Sequence, residues 1–141
     1  MTTSNQGVTP GRIRLLLVDD EADFVNVLSK RISRRNIEVT MACSGSEAIQ
    51  ALRGREFDVA VLDLKMEDMN GLEVLKIFRI MDPKLAVIML TGHGSAKAAQ
   101  KGIELGAYDY LTKPCELEKL LEKILAAYHQ SQAALNRHTD R

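Results

Sequence analysis

A chain of 141 residues has the length of one domain. Its 19 basic and 19 acidic side chains cancel, which removes any electrostatic case for direct binding to nucleic acid or an anionic membrane. At 45% hydrophobic and 27% charged residues the composition is that of a soluble globule; no apolar stretch is long enough to cross a bilayer, and residues 1–11 carry no secretory h-region, so a cytoplasmic location is expected.

Residues 1–11 are polar, with Ser, Asn, Gly and Pro, and read as a disordered leader. Residues 13–18 form a short continuous apolar run, the pattern of a strand buried on both faces. Phe24, Val27, Leu28 and Ile32 then recur at helical spacing, with acids (Asp20, Glu21, Asp23) at the start and bases (Lys30, Arg31, Arg34, Arg35) at the end, as the helix dipole favours. Residues 37–42 are a second strand. Ser44 followed by Glu47 reads as a capping box opening a short helix through Leu52, which Gly54 ends.

Residues 58–62 are the third strand and 65–70 a polar loop. Leu72, Leu75 and Phe78 give the next helix one apolar stripe, with Pro83 beyond its end. Residues 86–90 are the fourth strand. Gly92, His93 and Gly94 make a flexible turn, and Ser95 is placed to cap a helix reaching Leu105, closed by Gly106. That helix is rich in Ala, Lys and Gln, has a weak apolar face, and is expected to be loosely anchored. Residues 108–111 are the fifth strand. Leu117, Leu120, Leu121, Ile124 and Tyr128 line the last helix.

Five strand–helix units in strict alternation predict an α/β fold: a doubly wound, five-stranded parallel sheet with helices on both faces. Crossovers are right-handed, and the default five-strand order is 2-1-3-4-5. The expected division is a leader at 1–11, one domain at 12–128, and a helix extension or tail at 129–141. Cys43 and Cys115 then lie near opposite edges and read as two reduced thiols. His93, His129 and His138 show no ligand spacing, so no zinc site is expected.

The three strands at the centre of this sheet stop on polar groups, and so does the edge strand that follows them. The first ends in Asp19 and Asp20, the third in Asp63, the fourth in Thr91, and the fifth runs into Lys113 and Pro114. The carboxyl ends of parallel strands are where ligands bind, and the switch point lies between strands 1 and 3. Three carboxylates gathered there stay ionised together only around a cation. A hard divalent ion with oxygen ligands fits, and Mg²⁺ is the candidate. Lys113 offers a point charge for phosphate oxygens, Thr91 a hydroxyl, and Asp63 a nucleophile able to form an acyl phosphate. Taken singly, each residue also has a bland reading as a helix cap, turn or loop residue; their shared position at one sheet edge outweighs it.

The set Asp19-Asp20, Asp63, Thr91 and Lys113-Pro114 in an alternating βα chain closely resembles the receiver domain of two-component response regulators, a flavodoxin-like fold, across residues 13–128. The resemblance implies that Asp63 accepts a phosphoryl group from the phosphohistidine of a sensor kinase or phosphotransfer protein. It implies Mg²⁺ held by Asp20 and Asp63, by Asp19 through water, and by the backbone carbonyl of Lys65. Thr91 and Lys113 would grip the phosphoryl oxygens, with a cis peptide between Lys113 and Pro114. Thr91 and Tyr110 would form the switch: as Thr91 moves toward the phosphoryl group, Tyr110 turns inward, changing the surface around the fourth helix, the fifth strand and the fifth helix.

Members of this family often have Pro shortly after the Met that follows the phosphorylated strand; here Met66 precedes Glu67, which implies a more mobile loop whose acid affects metal affinity. Lys65 and His93 flank the mouth of the site, where family positions influence loss of the phosphoryl group to water. One rival is a haloacid-dehalogenase-type phosphatase, which needs an acid where Lys65 stands. Others are a receiver-like scaffold that no longer accepts phosphate, and a nucleotide site at Gly92–Gly94, which lacks a phosphate-loop spacing. The expected role is a signalling switch rather than an enzyme. Its output is expected through a docked protein partner or an onward relay. The alternative is a receiver truncated from a DNA-binding transcription regulator, and the helix extension is a candidate homodimer surface.

Overall fold

The computed structural model describes residues 12–92 and 96–139. Five parallel strands, β1 (Ile13–Val18), β2 (Ile37–Ala42), β3 (Val59–Asp63), β4 (Ala86–Thr91) and β5 (Asp109–Thr112), lie in the order β2-β1-β3-β4-β5. Helices α1 (Ala22–Ser33), α2 (Gly45–Gly54), α3 (Gly71–Met81), α4 (Ala96–Glu104) and α5 (Leu117–Thr139) alternate with them. The expected doubly wound α/β sheet is therefore the observed one. The leader at residues 1–11, the turn residues His93 and Gly94, and the Ser95 cap lie outside the described residues.

Strand alternation divides the core in two. Leu16, Val18, Ala60, Leu62, Val87 and Met89 face one side, against Ala48 and Leu52 of α2 and Val74, Leu75 and Phe78 of α3. Leu15, Leu17, Val59, Val61, Ile88 and Leu90 face the other, against Val25 and Ile32 of α1 and Leu120, Leu121, Ile124 and Ala127 of α5. Strands β1, β3 and β4 have neighbours on both sides and apolar packing on both faces, which is why their central residues, 15–18, 59–62 and 86–90, read as apolar runs.

Three strands end one residue later than their apolar runs. Asp63 pairs with Leu90, and Thr91 pairs with Thr112, so the parallel ladder carries polar residues that hydrophobicity alone excludes. In α3 the buried stripe is Val74, Leu75 and Phe78, with Leu72 only half-buried beside it. Helix α4 buries only Ala99 and Gly102, as its weak apolar face implied. A Cβ on Gly102 would lie 2.0 Å from the sulfur of buried Met89, so α4 sits close to the sheet through a missing side chain. Gly106, at φ +108°, closes that helix in a conformation that favours glycine. Helix α5 continues to Thr139, and midway along it the Ser131 hydroxyl donates to the Lys84 carbonyl at 3.3 Å.

Candidate functional site

The ends of β1 and β3 place three carboxylates together. The amide of Asp19 extends the β1 ladder by donating to Ala42 at 3.1 Å, and Asp63 is the last residue of β3. One oxygen each from Asp19, Asp20 and Asp63 lies within 4.8 Å of the others. Asp19 is fully buried, Asp63 is 5% exposed, and Asp20 sits at the rim. Such a close set of hard oxygen donors suits a divalent cation.

Lys113, just after β5, is the cation beside them. Its ammonium donates to Asp19 Oδ2 at 2.8 Å, lies 3.5 Å from Glu21 and 4.0 Å from Asp63 Oδ1. It also stands 4.7 Å from the Phe24 ring, a cation–π contact. Burial pulls the Lys113 pKa down, but the bond to Asp19 and the charges of Asp19 and Asp63 outweigh it and hold the value above the ordinary one. The Lys113–Pro114 peptide is cis.

Burial raises the Asp63 pKa to about 6, and the neighbouring charge of Asp19 adds to the rise. Lys113 and the Lys65 amide, which donates to Asp63 at 3.4 Å, act against it. Without a metal ion, ionised Asp63 is thus disfavoured at neutral pH despite the nearby ammonium, which fits an oxygen-ligated metal site.

Thr91 is 3% exposed and its hydroxyl donates to the Leu111 carbonyl at a long 3.4 Å. It is tied to β5, with no hydrogen bond to Asp63 among the described residues. Tyr110 points outward, 42% exposed. Asp19, Asp20, Asp63 and Lys113 are thus brought together, whereas Thr91 and Tyr110 lie to one side on β4 and β5. Cys43 and Cys115 are both free, and burial raises each thiol's pKa, so neither favours a reactive thiolate.

The loop of residues 64–70, where Glu67 stands in place of the proline frequent in the family, is hydrogen-bonded on two sides. The Glu67 N–H donates to Asp20 Oδ2 at 3.0 Å, and Asp68 accepts from the Gly45 and Ser46 amides at 2.9 and 3.1 Å. Sequence reasoning missed Asp68 and Asn70, whose side chain caps α3 by accepting from Leu72. Asn70 immediately before Gly71 was a readable cap signal; Asp68 reaches α2 across a separation that no local pattern reveals.

Comparison with known proteins agrees with this geometry. The family model of the response regulator receiver domain matches residues 15–125. The transcriptional regulatory protein ZraR of Escherichia coli O157:H7 is 33% identical over 125 residues, covering 86% of this chain and 28% of ZraR. The photosynthetic apparatus regulatory protein RegA of Cereibacter sphaeroides is 36% identical over 112 residues, covering 79% of this chain and 61% of RegA. The chain therefore spans less than two thirds of either relative. A crystal structure of a response regulator receiver domain protein from Clostridium thermocellum superimposes with a TM-score of 0.83 at 28% identity, over 86% of this chain and 98% of that one.

Proposed function

This chain belongs to the response regulator receiver domain family, and from that premise we propose that Asp63 is its phosphoacceptor. The observation that carries the assignment is the convergence of the Asp19, Asp20 and Asp63 carboxylates beside the Lys113 ammonium. Asp63 is the acid that ends the central strand β3 and lies within reach of both Asp19 and Lys113.

In the proposed step an Asp63 oxygen attacks the phosphorus of a phosphohistidine on a sensor kinase or phosphotransfer protein. The P–N bond breaks as the P–O bond forms, and the departing imidazole keeps the electron pair. Lys113 follows the phosphoryl oxygens, and the Thr91 hydroxyl leaves Leu111 to donate to one of them. Tyr110 then turns inward, and the face of α4, β5 and α5 changes. Asp20 and Asp63, Asp19 through water, and the Lys65 carbonyl are the groups proposed to hold Mg²⁺. Bound there, Mg²⁺ supplies positive charge that offsets negative charge on the transferring group.

Among the described residues no helix is long and apolar enough to cross a membrane. We infer a cytoplasmic signalling switch whose output passes through a docked protein, with no direct nucleic-acid contact from residues 12–128. A homodimer through the α5 extension (129–141) is part of that proposal. Control of transcription by a longer protein is the variant suggested by the name of ZraR.

The test is incubation with acetyl phosphate and Mg²⁺ followed by intact-mass measurement. One phosphoryl group is expected on the wild type and none on Asp63→Asn. Labelling that persists in the variant would reassign the acceptor.

A further inference from the structure

We propose that Asp68 is a positioning residue for the cation site: by fastening the 64–70 loop to the start of α2, it holds the Glu67 N–H against Asp20. The inference rests on the reading of Asp20 as a metal ligand.

The base of the loop is fixed first. Gly71 donates its N–H to the Leu64 carbonyl at 2.9 Å, and Lys65 and Asn70 form an isolated antiparallel bridge. A Cβ on Gly71 would lie 2.4 Å from the Leu64 Cα, so the two ends of the loop are in direct backbone contact. The loop's far side is then held by Asp68. Its carboxylate accepts from the Gly45 N–H at 2.9 Å, and from the Ser46 N–H and hydroxyl at 3.1 and 3.2 Å. The Gly45 amide, then that of Ser46, lowers the Asp68 pKa, so this carboxylate stays charged at neutral pH. Met69 packs on the same helix start: a Cβ on Gly45 would be 3.0 Å from both its Cβ and its sulfur.

Between base and anchor lies Glu67. Its amide donates to Asp20 Oδ2 at 3.0 Å. A proline at 67 has no N–H to offer, so this bond depends on the residue present here. Among the described residues no protein donor claims the other oxygen of Asp20. A carboxylate held by one oxygen presents the second in a fixed direction, and such outer hydrogen bonds tune metal ligands strongly. Asp68 touches neither the cation site nor a phosphoryl group; it acts through the loop.

The test is isothermal titration of the unphosphorylated protein with Mg²⁺, alongside hydrogen exchange of the Glu67 amide by NMR. Asp68→Ala is expected to raise the Mg²⁺ Kd about tenfold and speed exchange at Glu67. Asp68→Asn keeps an acceptor for the Gly45 N–H and is expected to recover most of the affinity. Ser44→Ala removes the α2 cap and lowers Tm, but is expected to leave the Kd unchanged; a purely structural role for Asp68 would make these two losses look alike. If Asp68→Ala does not fold, Glu67→Pro against Glu67→Gln reports the same bond, with weaker binding expected for Pro. Wild-type Kd in the Asp68 and Glu67→Pro variants overturns the inference. Wild-type Kd in Asp20→Ala instead overturns the metal assignment itself, so the two failures are distinguishable.

Discussion

The Lys113 ammonium bonds Asp19 at 2.8 Å and stands 4.0 Å from Asp63. The positive charge of the site is thus committed to the acid on β1 rather than to the proposed nucleophile on β3. Asp63 receives only a distant attraction, too weak to offset its burial and its proximity to Asp19. A phosphoryl group on Asp63 would offer Lys113 a stronger partner.

Replacement of Lys113 by Ala separates these roles. Lys113→Ala is expected to take up phosphate slowly while the Tyr110 environment stays that of the unphosphorylated protein, measured by NMR of the tyrosine ring. In the absence of Mg²⁺ the variant also leaves buried Asp19 without its ion-pair partner. A stability loss of about 3 kcal/mol is expected in urea titration, reduced when Mg²⁺ is added.

The raised pKa of Asp63 makes metal-free stability depend on pH. The folded value is about 6 against an ordinary 3.8, so the folded state binds this proton more tightly than the unfolded state. The resulting stabilisation is fully present below pH 3.8 and is lost as pH rises through 6. The total is no more than about 3 kcal/mol. In EDTA, Asp63→Asn should match the wild type near pH 4 and exceed it near pH 7.5, by urea melts at both values. An equal difference at both pH values would mean that Asp63 ionises without strain.

Gly71→Ala tests the base of the active loop. The added carbon meets backbone atoms of Leu64 and Asp63 that cannot rotate away. A cost of roughly 3 kcal/mol and slower phosphorylation by acetyl phosphate are expected together. At Gly102 the clash is with the flexible end of Met89, so Ala there is expected to cost less, about 1–2 kcal/mol, and to leave phosphorylation intact.

The apolar runs of β1, β3 and β4 were legible because these strands are covered on both faces, and the acids at their ends stood out against those runs. The limits of the strands were less legible. Asp63, Thr91 and Thr112 join the sheet through backbone pairing with neighbours far away in sequence. The same holds for Asp68 on α2, and for Arg14, whose guanidinium and amide both bond Asp58. The preference of Lys113 for Asp19 over Asp63 was also hidden, since it depends on distances of an ångström or so. Glu67 shows the limit best: its acid stood out in the sequence, but the bond from its backbone amide to Asp20 could not be read there.

Helix α5 is pressed onto the sheet by Leu120, Leu121, Ile124 and Ala127, while the chain continues as helix to Thr139. The helix is held as far as Ser131, whose hydroxyl bonds the Lys84 carbonyl, and the turns after it are an arm of roughly 12 Å at 1.5 Å per residue. A tilt of about 5° at that point would sweep the far end through about 1 Å. A small adjustment beneath α5, near β4 and β5, would in this way be felt at the far end of the helix.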